Sequence, residues 1–252
     1  MKISEIKNEF SHASREEWES LIQKHISDER SGVQSIIKTY QNKIKKYELE
    51  IERLEKMHEF ENKYKAEYPI ICGIDEAGRG PLAGPVVAGA VVLPEDAKIL
   101  YLNDSKKLSA SRREELYEEI VEKAIAVGVG IVSPKRIDEI NILQATYEAM
   151  RFAISDLDTV PNILLNDAVV IPDVHIKQVG IVKGDARSVS IAAASIIAKV
   201  TRDRIMDDYA DEYPEYGFES HKGYGTAAHV AAIKKYGPLD IHRRTFIGNI
   251  VK

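Results

Sequence analysis

Residues 70–85 read Ile-Ile-Cys-Gly-Ile-Asp-Glu-Ala-Gly-Arg-Gly-Pro-Leu-Ala-Gly-Pro, and the groups able to do chemistry crowd its middle. Asp75 and Glu76 are adjacent carboxylates at the end of an apolar run. Alternate residues of a strand point to opposite faces, so the two acids can share one pocket only if the strand ends or bulges between them. Converging carboxylates repel, and a hard divalent cation is the usual means of keeping both ionised. Gly78 and Gly80 let the backbone approach a ligand closely and offer N–H groups to an anion, while Arg79 between them adds a fork of donors suited to phosphate. A metal and a phosphate are therefore expected side by side. The same residues also suit an exposed turn after a strand, with Arg79 solvated.

Further acids follow the same theme. Ile163 to Asp167 and Val179 to Asp185 are apolar runs that end in an aspartate, and three such strands would gather ligands along one edge of an open α/β sheet. Asp167 by itself reads equally well as a turn or cap residue. Asn103 to Ser109 is a polar loop carrying Lys106 and Lys107, with Ser109 placed to cap a following helix from about Ser111 to Lys123. Near the other end, Tyr224 stands between Gly223 and Gly225, with room for its ring to lie against a flat partner.

The elements that must position these groups are legible from periodicity. Ile70–Ile74 and Val86–Leu93 read as neighbouring antiparallel strands, Ala126–Val132 as a third, and Pro134–Leu157 as a long helix with Ile137, Ile140, Leu143, Tyr147, Met150 and Ile154 on its apolar side. Ala186–Lys199 is a helix of small residues, suited to close packing on a sheet. Thr226 can cap a last helix running to about Tyr236. Residues 1–67 have a different texture. Ser14-Arg15-Glu16-Glu17 has a capping-box pattern, and a longer helix after Gly32 places Ile37, Tyr40, Ile44, Tyr47, Ile51 and Leu54 at spacings of three and four, which predicts an antiparallel helical hairpin.

The chain has 252 residues and a formal charge of −5, so no global nucleic-acid signature is present. Charge is uneven, however: after Tyr216 stand Lys222, Lys234, Lys235, Arg243, Arg244 and Lys252 against only Glu219 and Asp240. This basic end could follow a phosphate backbone or be a solvated face. The single cysteine, Cys72, excludes an internal disulfide and reads as a small buried hydrophobe. With no apolar leader and no long apolar span, a cytoplasmic protein without membrane contact is expected.

Taken together, Asp75-Glu76-Ala77-Gly78-Arg79-Gly80-Pro81, Asp104-Ser105-Lys106-Lys107-Leu108, Lys183-Gly184-Asp185 followed by Ser190 to Ser195, and His221-Lys222-Gly223-Tyr224-Gly225-Thr226 resemble the type 2 ribonucleases H, the ribonuclease HII family, in that family's order. The resemblance covers about Tyr68 to Phe246. It implies an α/β fold, a ribonuclease H-like mixed β-sheet flanked by helices in residues 68–252, with residues 1–67 as an N-terminal helical, hairpin-like extension outside the resemblance. It also implies endonucleolytic cleavage of the RNA strand of RNA–DNA hybrids, and cleavage 5′ of single ribonucleotides embedded in duplex DNA. The family's metal-binding carboxylates map onto Asp75, Glu76, Asp167 and Asp185, which would hold a pair of Mg²⁺ or Mn²⁺ ions. Ala168 follows Asp167 where the family's pattern would carry glycine. Gly78, Arg79 and Gly80 match the element that contacts the ribose 2′-hydroxyl and its phosphate, Tyr224 the tyrosine that senses the junction between ribonucleotide and deoxyribonucleotide, and Lys106, Lys107 and Lys222 the phosphate-contacting positions. A monomer is expected, with residues 1–67 open to a protein partner.

Two alternatives stand beside this reading. The related type 3 enzyme prefers longer RNA tracts, and Arg79 argues against it because that family carries lysine between the two glycines. A non-catalytic nucleic-acid-binding module would account for the helical N-terminus and basic C-terminus but leave the four acids unexplained.

Overall fold

The computed structural model describes residues 1–251; Lys252, part of the basic end, lies outside the described residues. The chain divides into two compact units, Met1–Lys56 and Met57–Lys252. The first contains α1 (Ile3–His12), α2 (Arg15–His25) and most of α3 (Ser31–Met57). Its core is Ile6, Phe10, Ile22, Val33, Ile37 and Tyr40. The expected hairpin of α2 and α3 is thus a three-helix unit. Its first helix buries only Ile6 and Phe10, too sparse a pattern to announce itself in sequence. The capping box at Ser14 is formed: Glu17 accepts from the Ser14 backbone N–H at 2.7 Å.

The second unit opens with a short helix, α4 (Glu59–Tyr64), and is built on a five-stranded sheet. Its strands are β1 (Ile71–Ala77), β2 (Val86–Val92), β3 (Ala126–Val132), β4 (Ile163–Asp167) and β5 (Lys177–Ile181), in the order β3-β2-β1-β4-β5. β1, β2 and β3 pair antiparallel, while β4 and β5 run parallel to β1, so the C-terminal ends of β1, β4 and β5 lie along one edge. β1 and β2 are joined by a short loop, β3 follows after residues 93–125, and β4 returns parallel to β1 through the long helix α6 (Pro134–Ser155).

The two faces of the sheet are covered by different helices, and glycines mark the contacts. At Gly128 and Gly130 an added Cβ would strike the Ala153 and Ala149 carbonyls of α6. At Gly73 and Gly89 it would strike Ser190 and Ala194, on the helix α7 (Val189–Glu212). The α6 face holds the main core, in which Cys72, Ile74, Val86, Ala88, Ala90 and Val92 meet Ile137, Ala149 and Met150. Burial pushes the Cys72 thiol up to about 12, so it is an inert hydrophobe. The small-residue helix predicted before Lys199 continues as α7 to Glu212. Ala192, Ala193 and Ala194 are fully buried in it, as close packing requires.

The expected apolar side of α6 is only partly observed. Ile137 and Met150 are buried, but Leu143 is exposed. Asn141 breaks the helix at φ 67°, and its Oδ1 accepts from the Leu143 and Gln144 N–H groups, restarting the helical phase. The remaining elements are α5 (Ala110–Lys123), capped by Ser109, then α8 (Phe218–His221), α9 (Ala227–Tyr236), capped by Thr226, and α10 (Arg244–Ile247).

Candidate active site

β1 carries both adjacent acids, and its ladder with β2 continues unbroken through Asp75↔Gly89, Glu76↔Ala88 and Ala77↔Val87. The strand neither ends nor bulges between them, which corrects the condition set from sequence. Asp75 shares the α7 face with Gly73, and Glu76 shares the α6 face with Ile74. Asp167, the last residue of β4, lies on the same face as Leu165, whose cluster includes Ile191 of α7. Asp185 is not at a strand end as expected: β5 stops at Ile181, and Asp185 sits in a 3₁₀ turn (Gly184–Ala186) that leads into α7. Asp75, Asp167 and Asp185 therefore approach from the α7 side, and Glu76 from the other.

The four acids form one electrostatic system. Burial raises the Asp75 pKa well above the usual range, and the charges of Glu76 and Asp167 add to the effect. Burial also raises Glu76, with Arg79 opposing, and Asp185, which feels Asp104 and then Asp167. Each acid takes local donors. Asp75 accepts the Glu76 N–H at 2.8 Å and a bond from Ser195, Glu76 accepts Arg79 Nη1 at 3.1 Å, and Asp167 accepts the Gly184 N–H at 2.7 Å. Ala168, at φ 56°, adopts the left-handed conformation a glycine would take without strain. Among the described residues, no three acidic, histidine or cysteine side chains converge closely enough to hold an ion as they stand. The donor set itself is all carboxylate oxygen, which suits a hard divalent cation and no thiophilic one.

Beside the acids is a cleft of about 230 Å³ lined by Glu76, Gly78, Arg79, Gly80, Ser105, Lys106, Lys199 and Tyr224. It unites most of the predicted binding residues. Burial opposes the charge of Lys106, yet Asp104, Asp75, Asp185 and Asp167 outweigh it and hold its pKa above the usual lysine value. Lys107 reaches only the neighbourhood of Asp104, at 3.9 Å. Lys222 does not line the cleft; its ammonium pairs with Asp207.

The cleft's glycine-rich wall is held by two arginines that sequence reasoning did not single out as structural. Arg202 and Arg243 are fully buried. Arg243 donates to the carbonyls of Gly78 (2.5 Å), Arg79 (2.8 Å), Gly84 (2.9 Å) and Pro85 (3.2 Å), and Arg202 to those of Pro85, Ala83 and Lys222. One arginine of the basic end is thus internal, and Arg244 caps against Asp138 through its N–H. Two further residues, given no site role from sequence, are Ser195, whose hydroxyl lies 2.9 Å from that of Ser105, and Lys199, bound to Asp203 at 2.5 Å.

Acids along the parallel edge of a mixed sheet, covered by helices on both faces, place the protein in the ribonuclease H-like fold class. Solved structures share it. The ribonuclease H2 of Pyrococcus horikoshii matches with a TM-score of 0.60 at 31% identity, over 72% of this chain and 96% of its own. The ribonuclease HII in a PCNA complex from Archaeoglobus fulgidus matches with a TM-score of 0.59 at 29% identity, over 72% and 97%. The ribonuclease HII of Lachnoclostridium phytofermentans is 56% identical over 250 residues, 99% of this chain and 98% of that one. The family model of ribonuclease HII matches residues 72–249, and that of the ribonuclease HII N-terminal domain residues 2–65. The chain belongs to the ribonuclease HII family, and its activity is that of an RNase H nuclease.

Proposed function

We propose that the chain is an endoribonuclease that cuts the RNA strand of RNA–DNA hybrids and cuts 5′ of single ribonucleotides embedded in duplex DNA, leaving 3′-hydroxyl and 5′-phosphate ends, in the cytoplasm as part of ribonucleotide removal from DNA. The observation that carries this reading is the juxtaposition of the acid system with a cleft that offers Gly78 and Gly80 backbone, Arg79, Lys106 and Tyr224.

Asp75, Glu76, Asp167 and Asp185 would hold the divalent ions, Mg²⁺ or Mn²⁺. When bound, such ions supply an activated water and stabilise the leaving oxygen. The chain's own residues do the rest. Arg79, Lys106 and Lys199 offer positive charge to the phosphates. The main chain at Gly78–Gly80, pinned by Arg243, presents fixed polar groups to the ribose, and the 2′-hydroxyl is the one handle that separates a ribonucleotide from its neighbours. The ring of Tyr224 is exposed beside this wall, and a Cβ on Gly80 would lie 3.8 Å from its Cε1, so sugar and tyrosine can be read together. Residues 1–67 complete the proposal as a helical module that binds a partner.

The decisive assay uses the full chain on duplex DNA carrying one ribonucleotide, and on a long hybrid, each with and without Mg²⁺. Cation-dependent cutting of both supports the reading; cutting of long hybrids alone would assign a type 3 preference, and cutting of neither would leave a binding module.

A further inference from the structure

Tyr224 stands on a loop whose backbone is unusual, with Lys222 at φ 48° and Gly223 at φ 82°. Something must hold that loop, because its ring is exposed and its neighbours are glycines. The main-chain carbonyl of Tyr224 is taken from below by Nδ1 of His229 at 2.9 Å. His229 Nε2 lies 3.0 Å from Nε2 of His242, and His242 Nδ1 lies 2.9 Å from the Leu239 backbone nitrogen. Both rings are buried.

The direction of this chain follows from elementary bonding. A backbone N–H can only donate, so His242 Nδ1 is an acceptor and its ring proton is on Nε2. That proton is donated to His229 Nε2, which must therefore be bare. The remaining His229 proton is on Nδ1, where it is donated to the Tyr224 carbonyl. One amide at Leu239 thus dictates both tautomers and ends on the residue that lines the cleft. The arrangement requires both rings neutral, since either added proton would set two N–H groups against each other. Burial, then the neighbouring His229, lowers the His242 pKa to about 4, and burial lowers that of His229. His221 completes the cluster: its ring stacks on His229 with centroids 4.5 Å apart, its Nδ1 accepts the Gly223 N–H at 3.2 Å, and its Nε2 donates to the Tyr216 carbonyl at 2.8 Å.

We propose that His229 and His242 are positioning residues for Tyr224, a neutral imidazole relay that sets the tyrosine against the Gly78–Gly80 wall and so tunes discrimination for a single embedded ribonucleotide. This rests on the functional reading above. Neither histidine touches the nucleic acid; each acts through the tyrosine loop.

The two amide replacements of His229 separate positioning from packing. His229→Asn keeps a donor where Nδ1 was, while His229→Gln moves the amide out to the Nε2 position and leaves the Tyr224 carbonyl with the Thr226 N–H alone, at 2.8 Å. One hydrogen bond corresponds to about a tenfold effect. The expected result for His229→Gln is a fall of about tenfold in the ratio of kcat/KM on single-ribonucleotide duplex to kcat/KM on long hybrid, carried mainly by KM. His229→Asn should recover most of the ratio, and ¹⁵N spectra of the wild-type chain should show His229 protonated on Nδ1 and His242 on Nε2 at pH 7. An unchanged ratio in His229→Gln, while Tyr224→Ala abolishes it, would overturn the relay but keep the functional reading. Equal losses for Gln and Asn on both substrates would reduce His229 to packing and overturn the proposal, as would a wild-type His229 protonated on Nε2. A wild-type chain that cuts neither substrate would remove the functional reading and this proposal with it.

Discussion

Replacing Gly73 with alanine asks whether the close seat of α7 on β1 is what assembles the acid system. A Cβ at Gly73 would lie 2.0 Å from the Ser190 carbonyl carbon, 2.2 Å from its oxygen and 2.4 Å from the Ile191 nitrogen, all main-chain atoms. Ordinary contact begins at 3.4 Å, so α7 must retreat by roughly 1.4 Å, the difference between the two distances, or the strand must bend. Overpacking of this kind costs about 1–3 kcal/mol. The retreat also loosens the bond from Ser195 to Asp75 and the contact of Ser195 with Ser105, about 1 kcal/mol each. A total near 3–5 kcal/mol corresponds to a melting temperature lower by about 10 °C for a unit of this size. The measurement is a thermal melt of the full chain followed by circular dichroism, with cleavage assayed well below the transition. Gly80→Ala is the control, because its added Cβ meets only Tyr224 Cε1 at 3.8 Å, an ordinary contact. It should melt within about 2 °C of wild type. If Gly73→Ala also melts within that margin and cuts normally, the sheet–helix contact is not what organises the acids.

Asp75→Asn should abolish cleavage and yet raise stability by about 1 kcal/mol at pH 7, because it removes one charge from a buried group of like charges; a lower melting temperature would contradict the electrostatic account. Mn²⁺ should raise the melting temperature of wild type and much less that of Asp75→Asn, and equal shifts would take Asp75 out of the ion site. Arg243→Met strips the Gly78, Arg79 and Gly84 carbonyls of their side-chain donor, so it should raise KM more than it lowers kcat; an unaltered KM would show that the wall holds without it. His242 carries a pH signature. Its pKa is about 4 in the folded chain and 6.5 when free, so below pH 6.5 the unfolded chain binds the proton first. Its stabilising contribution is complete above about 6.5 and falls away towards pH 4, about 3 kcal/mol in all. The raised carboxylates Asp75, Glu76 and Asp185 work in the opposite direction over this range, but they are common to wild type and His242→Asn. The difference between the two melting curves across pH 4–7 should therefore show the histidine alone, and parallel curves would refute its buried, neutral state.

Much of the site was legible in the sequence because it is written in local chemistry. An apolar run with alternating geometry, a glycine on each side of an arginine, a serine before a helix and a run of small residues each constrain their own neighbourhood. So β2, β3 and the caps at Ser109 and Thr226 follow from residues a few positions apart. The family resemblance added which acids belong together, and the family assignment agrees with it.

What sequence could not decide were the relations between distant segments. Whether Asp75 and Glu76 face together depended on the ladder with β2, and the ladder runs straight through them. Whether Arg243 was solvent-facing or internal depended on which carbonyls would surround it, and those belong to a loop about 160 residues earlier. That the ammonium of Lys222 pairs with Asp207 depended on α7 passing beside it. The helical phase of α6 was lost at Asn141, whose side chain restarts the helix it interrupts. At the sheet, Arg243 and Lys222 the deciding energy is a hydrogen bond or ion pair across the fold, which no pattern of neighbouring residues encodes; at Asn141 it is a local cap on Leu143 and Gln144 that periodicity alone does not register.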